Sequence, residues 1–327
     1  MKAQVLMQAG GPEQFALQER PMPKPGKGQV LVRVHAASVN PADIKTRRNG
    51  PPQLPAILGA DFAGIVVERG DGVTDYAIGD EVYGCAGGFA GIDGSYAEYM
   101  VVDVRLMAPK TSALDFRQAA ALPLVGITAY EGLFDRARVK RGDNVLVFGA
   151  VGGVGHIALQ LAKAAGAIVT AVVSTPEKAA LARKLGADHI VNYREETVSD
   201  YVQRLTDGVG FDIVFDAIGS DNLNIAIEAA RPQGQVITLV ARQSYDLGPA
   251  FSRGLSIHIV FMLIPMLHNI ERERHSDILR ELNGLVAQGK LQPLLDQKRF
   301  QLAELSEAHR YLEQGRAVGK VVIDIGV

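Results

Sequence analysis

The sequence predicts an α/β protein: a doubly wound parallel sheet inserted into a smaller, mostly β domain. Three observations carry this reading. Between residues 145 and 239, short apolar strands alternate with helices of about ten residues. That is the pattern of βαβ units, whose right-handed crossovers place helices on both faces of a parallel sheet. The first third instead has β-rich runs broken by Pro and Gly clusters. The last run, 320–325, reads as a final strand that most simply rejoins the first domain. The expected domains are residues 1–120 with 259–327, and 121–258 as the insertion. A chain of 327 residues suits two domains at about 150 residues each.

The elements follow in order. Residues 29–39 (QVLVRVHAASV) and 64–68 (GIVVE) read as strands. Pro21, Pro23 and Pro25 suit an extended connector, and Gly79-Asp80 a tight turn. Residues 115–135 are rich in Ala and Leu and read as helical, with breaks at Pro123 and Gly126. Strands are then expected at 145–148, 168–173, 189–192, 213–216 and 236–239, and helices at 154–165, 177–185, 197–206 and 222–230. Beyond residue 259 come a long amphipathic helix (275–289), Pro293, a helix (302–314) and the final strand.

Composition narrows the function. Thirty-four Lys+Arg against 36 Asp+Glu leave a net charge of −2, so no global field would hold nucleic acid or an anionic membrane. The single cysteine, Cys85, excludes an intrachain disulfide and every multi-cysteine metal site. The seven histidines show no H-x3-H or H-E-x-x-H spacing. The most apolar late segment, 257–267, has 11 residues and contains His258 and Pro265, whereas a membrane span needs about 20. The opening MKAQVLMQAGGPEQF reaches Gly-Gly-Pro before any apolar run of signal-peptide length. The cytoplasm is the expected location.

The strongest local signal is 145–161, VLVFGAVGGVGHIALQL. A buried strand enters a loop with Gly149, Gly152, Gly153, Val154 and Gly155, then a helix. Gly149 allows a sharp exit from the strand. Gly152 or Gly153 lets backbone approach a diphosphate. Gly155 permits close helix–strand packing. Free N–H groups and the positive end of the helix dipole favour the anion. The competing reading is a tight turn with no ligand. The second strand bears on which dinucleotide binds. NAD sites usually place an acid at its end, to accept from the ribose 2′-hydroxyl. Here that end carries Ser174, and Lys178 follows. A hydroxyl and a cation suit a 2′-phosphate, hence NADPH, although Thr175-Pro176 with Lys178 is also an ordinary helix start.

Taken together, these and further segments resemble the zinc-free quinone oxidoreductases (zeta-crystallin-like) and enone reductases of the medium-chain dehydrogenase/reductase superfamily. The carriers are ASVNPAD (37–43), LGADFAG (58–64), VTDYAIGDEVY (73–83), GSYAEY (94–99), PLVGITA (123–129), the glycine loop and GRAVGK (315–320). The resemblance implies a GroES-like substrate domain, a Rossmann domain with a cleft between them, and a homodimer in which the strand around 256–260 pairs with its symmetry mate. Zinc-dependent relatives need a catalytic Cys, a His-Glu pair and a four-cysteine lobe. Here Asn40 stands in the loop where the Cys would be, and Ala60-Asp61 where ligands would be. No metal is therefore expected.

Without a Lewis acid, the chemistry turns to acceptors activated by conjugation, namely quinones and α,β-unsaturated carbonyls. The protein must then place a donor at the oxygen on which charge collects. The resemblance nominates a loop, Asn40–Lys45. Asn40 would contact the nicotinamide ribose or the substrate, and Lys45 would donate to the carbonyl oxygen. Lys45 also reads as a solvated lysine in a cationic run with Arg47 and Arg48. Asp43 would orient Lys45 or cap the loop. Thr128 resembles the residue that bonds the nicotinamide amide, and Tyr193 a tyrosine at the 2′-phosphate. Arg316 and Lys320 resemble a basic pair near the cofactor. Leu239 and Val240 would cross the nicotinamide, and Phe261 and Met262 would wall the substrate end. Two rival readings remain open. One is an enoyl-thioester reductase. The other is an NADPH-binding protein with little turnover, acting as a sensor, structural or RNA-associated partner.

Overall fold

The computed structural model describes residues 1–326. Two compact units emerge: Met1–Ile127 together with the chain from Leu263 onward, and Thr128–Met262. The divisions fall a few residues beyond the expected 120/121 and 258/259. The first lies inside a helix rather than ahead of it, and the second puts Phe261 and Met262 in the inserted unit.

The first unit is built on antiparallel sheets. Strand Gln29–Val39 is central, with Asp61–Arg69 on one side and the late strand Val321–Asp324 on the other. Glu81–Cys85 and Met107–Pro109 extend the first side, and Phe300–Gln301 the second. Tyr99–Asp103 also pairs with the central strand. A small sheet joins Phe15–Glu19, Lys2–Leu6 and Ala56–Ile57. The central strand buries most of its residues: strands pair along its edges and a helix packs against it. As expected, the last strand rejoins this unit, pairing antiparallel with Val321 opposite Val39.

Three helices matter in this part of the chain. Helix α1 (Pro41–Asn49) starts at Asn40 as N-cap with Pro41 at its first position. The segment expected as a loop, Asn40–Lys45, is therefore the first turns of a helix. Helix α2 (Phe116–Ala120) opens with a reciprocal Asp115–Gln118 capping box. Helix α3 (Pro123–Tyr130) runs on into a π-helical turn over Glu131–Arg136. Pro123 does mark a break, but Gly126 lies inside α3. A Cβ there would come within 2.6 Å of Leu282 Cδ1, so this glycine serves close packing.

The second unit is a six-stranded, all-parallel sheet. Its order is His189–Asn192, Ile168–Val173, Asn144–Phe148, Phe211–Asp216, Ala230–Thr238, Ser256–Ile259. Counted along the chain this is 3-2-1-4-5-6, the Rossmann order, with its topological switch point beside the first strand. Helix α4 (Gly155–Ala164) follows that strand. Its residues from Gly155 to Ala162 are all buried, which explains its Ala- and Leu-rich sequence. Among the described residues, no helix is long and apolar enough to cross a membrane.

Candidate functional site

In the first unit, sheet register assembles a buried polar cluster. Ser38 lies opposite Asp61 on the neighbouring strand, and Asp61 opposite Cys85 on the next. Because Val321 pairs with Val39, Lys320 arrives beside Asn40. All of these side chains are buried. The Asp61 carboxylate accepts from Ser38 Oγ at 2.8 Å and Asn40 Nδ2 at 3.0 Å through Oδ2, and from the Leu124 N–H at 2.8 Å through Oδ1. Lys320 Nζ donates to Asn40 Oδ1 and lies 3.5 Å from Asp61 Oδ2. The Asn40 N–H donates to Asp43 Oδ2 at 2.8 Å.

The electrostatics follow from burial. Asp43 is pushed up to about 7, chiefly by desolvation and further by Asp61; the Asn40 N–H and Lys320 oppose this. Burial lowers the Lys320 ammonium, while Asp61 and Asp43 support its charge. Burial pushes the Cys85 thiol well up, and the two carboxylates push the same way.

This geometry revises several expectations. Lys320 does not share the setting of Arg316: Arg316 is exposed, whereas Lys320 is sealed against Asn40 and Asp61. The register that pairs Val321 with Val39 leaves its ammonium no route outward. Asn40 has no exposed surface, both ends of its amide are engaged by Asp61 and Lys320, and it occupies the N-cap position of α1. Asp43 is tied to that same cap. Arg47, read as part of a solvated cationic run, is buried. It donates to Gly10 O at 3.0 Å and Glu313 Oε1 at 2.5 Å and touches His309 Nδ1 at 3.3 Å. Lys45 is exposed on α1, between that anchor and the Asn40 cap.

The second unit holds the glycine loop at the carboxyl end of Asn144–Phe148. Gly149 has φ +66°, a left-handed turn that glycine adopts without strain. A Cβ at Gly155 would sit 2.0 Å from Gly149 O, so only glycine allows α4 to start this close to the strand. Gly152, Gly153 and Val154 are partly exposed, and no side chain caps α4. These residues fit an anion such as a diphosphate: a helix start that no side chain caps, reached over backbone rather than side chains. His156, which reads as a plain helix-face residue, braces the loop. Its Nδ1 lies 2.8 Å from Gly152 O and donates to it, since a carbonyl can only accept.

Around this loop, Ser174 ends the second strand, largely buried. Thr175 caps the next helix, accepting from the Lys178 N–H at 3.3 Å, so Lys178 does occupy an ordinary helix start with a half-buried side chain. Tyr193, 55% exposed, follows the third strand, its N–H bonded to Val173 O. Leu239 and Val240 lie just past Ala230–Thr238, half-buried. Thr128 is buried on α3. Phe261 is 46% exposed while Met262 is a core residue at 3%.

Sequence reasoning also missed Asp216. Buried at its strand end, it accepts from Gly219 N–H (2.9 Å), Ile218 N–H (3.1 Å), Asn222 Nδ2 (2.8 Å) and Thr238 Oγ1 (3.1 Å). It fixes the loop whose Ile218 packs on Gly149. The signal was an acid closing a strand just before a glycine turn. Among the described residues, no group of three or more His, Cys, Asp or Glu side chains is placed to hold a metal ion.

A parallel six-stranded sheet with a glycine loop, inserted in sequence within an antiparallel β unit, is a Rossmann-type domain carried with a GroES-like one. The sequence matches the alcohol dehydrogenase GroES-like domain over residues 26–112 and the zinc-binding dehydrogenase family over 185–323. It is 35% identical over 336 residues to an NADPH-dependent alkenal/one oxidoreductase, chloroplastic, of Arabidopsis thaliana, covering 99% of this chain and 79% of that protein. Its fold matches a solved alcohol dehydrogenase superfamily protein from Novosphingobium aromaticivorans at TM-score 0.95 and 39% identity, over the whole of both chains. It also matches an Escherichia coli quinone oxidoreductase complexed with NADPH at TM-score 0.89 and 28% identity, over 99% of this chain and 100% of that one. The chain belongs to the medium-chain dehydrogenase/reductase superfamily and is an oxidoreductase of that family.

Proposed function

We propose that this oxidoreductase uses NADPH to reduce a quinone or an α,β-unsaturated carbonyl, and that it does so without a metal. The observation that carries the proposal is the pairing of an uncapped glycine-loop helix start with a second strand that ends in Ser174 rather than an acid. The NADPH-dependent alkenal/one oxidoreductase and the NADPH-complexed quinone oxidoreductase support it by likeness.

In this reading the loop from Gly149 to Gly155 holds the diphosphate. Ser174, Lys178, Tyr193 and Arg316 take the 2′-phosphate, Leu239 and Val240 pass the nicotinamide, and Thr128 bonds its amide. Bound NADPH supplies hydride. Lys45, an exposed ammonium on a helix anchored at both ends, donates to the oxygen that gains charge when hydride reaches the conjugated β-carbon. Asn40 is assigned the cap of that helix, and Phe261 the substrate wall.

The test is oxidation of NADPH and NADH across 1,4-quinones, alkenals, alkenones and enoyl thioesters, with metal content measured on the same preparation. Turnover should need a quinone or enone, run better with NADPH, and persist without zinc. Tight NADPH binding with no turnover on any acceptor would favour the sensor or structural reading. A preference for enoyl thioesters would favour that reductase.

A further inference from the structure

The Asp61–Lys320 pair does more than neutralise itself. Each end of the Asn40 amide meets a different partner: Nδ2 faces the Asp61 carboxylate and Oδ1 the Lys320 ammonium. Flipping the amide would set NH2 against the ammonium and C=O against the carboxylate, so the pair admits one orientation. Asn40 is the N-cap of α1. The other oxygen of Asp61 accepts from Leu124 N–H, in the first turn of α3. One buried carboxylate thus ties down the starts of two helices, and one buried ammonium selects the geometry. Buried ion pairs rarely exceed apolar replacements in stability, so this one is better explained by the conformation it specifies.

We propose that Asp61 and Lys320 are positioning residues which, through the Asn40 cap, set the first turn of α1 and hence the direction of Lys45. At its far end α1 is held by Arg47 on Gly10 O and Glu313. With the near end released, Lys45 swings on one anchor. The inference deepens the proposed function, because it rests on Lys45 acting as the carbonyl donor.

The experiment uses the full chain with two replacements. Lys320→Met leaves Asp61 buried without its counter-charge; Lys320→Met with Asp61→Asn makes the cluster neutral again. In the double variant, thermal stability should recover most of what Lys320→Met loses, while kcat on an alkenal stays at least 10-fold below wild type and KM for NADPH within twofold. Amide hydrogen exchange over residues 41–46 should be at least 10-fold faster than in wild type, with exchange in the second unit unchanged. A double variant that recovers both stability and kcat overturns the proposal, because the pair is then merely structural. So does unchanged exchange over 41–46, and that readout judges the positioning even if wild type shows no turnover, an outcome that would sink the proposed function separately. If Lys320→Met alone does not fold, the double variant carries the same test.

Discussion

Two helix starts in this molecule are built in opposite ways. At α1 the N-cap residue is held from inside the protein: Asp43 accepts the Asn40 N–H, and Asp61 and Lys320 hold its amide. At α4 no side chain caps at all, and the approach is lined by partly exposed Gly152, Gly153 and Val154. A helix start that no side chain caps is a place for an external anion. A helix start tied to buried charged groups is a fixed mount. The closed start therefore suits carrying a reacting group and the open one suits binding.

The severest way to break this contrast is to block the open start. Gly155→Ala places a methyl 2.0 Å from Gly149 O, so the loop must move. Its Kd for NADPH, read by fluorescence titration, should rise about 100-fold, and the overpacking should cost about 1–3 kcal/mol of stability. Normal binding by this variant would show that the loop is only a turn. The next effect separates the two starts. Lys45→Ala removes an exposed side chain, so NADPH affinity and melting temperature should stay unchanged while kcat on enones falls about 100-fold, the scale of one lost oxyanion donor.

The smallest effect probes the closed start itself. Asp43 is raised to about 7 by burial, so the folded state holds a proton that the unfolded chain releases near pH 4. The stability this adds is fully present below that unfolded value and is lost as pH rises through about 7. Asp43→Asn keeps an oxygen for the Asn40 N–H but does not titrate. Between pH 5 and 8 its melting temperature should gain about 2–4 °C on wild type. His309, lowered to about 3 by burial and by Arg47, pulls the other way at acid pH, but it is present in both proteins and drops out of the difference. A constant difference across this range would mean that Asp43 is ionised throughout.

What the sequence disclosed was local. Strand–helix alternation and the glycine spacing sit within short windows, and the doubly wound parallel sheet and the loop follow from them. Part of the closed start was also readable: Asn40, Pro41 and Asp43 form an N-cap, first position and third position. Taking 40–45 as a loop passed over that signal. Lys320 was not readable in the same way. It meets Asn40 only because Val321 pairs with Val39, across 280 residues of chain. Register between distant strands is set by the packing of whole faces, which no window of sequence contains. Gly126 erred in the other direction: a residue that usually interrupts a helix was chosen here for Leu282, far along the chain.

The position of Cys85 has one more consequence. Conjugated carbonyls alkylate thiols, and they do so through the thiolate. The protein's single sulfhydryl is shut inside the sheet opposite Asp61, where burial and two carboxylates disfavour its ionised form. The fold thereby keeps the one vulnerable sulfur out of reach of the acceptors proposed for this enzyme, and high concentrations of an enone should leave it unmodified.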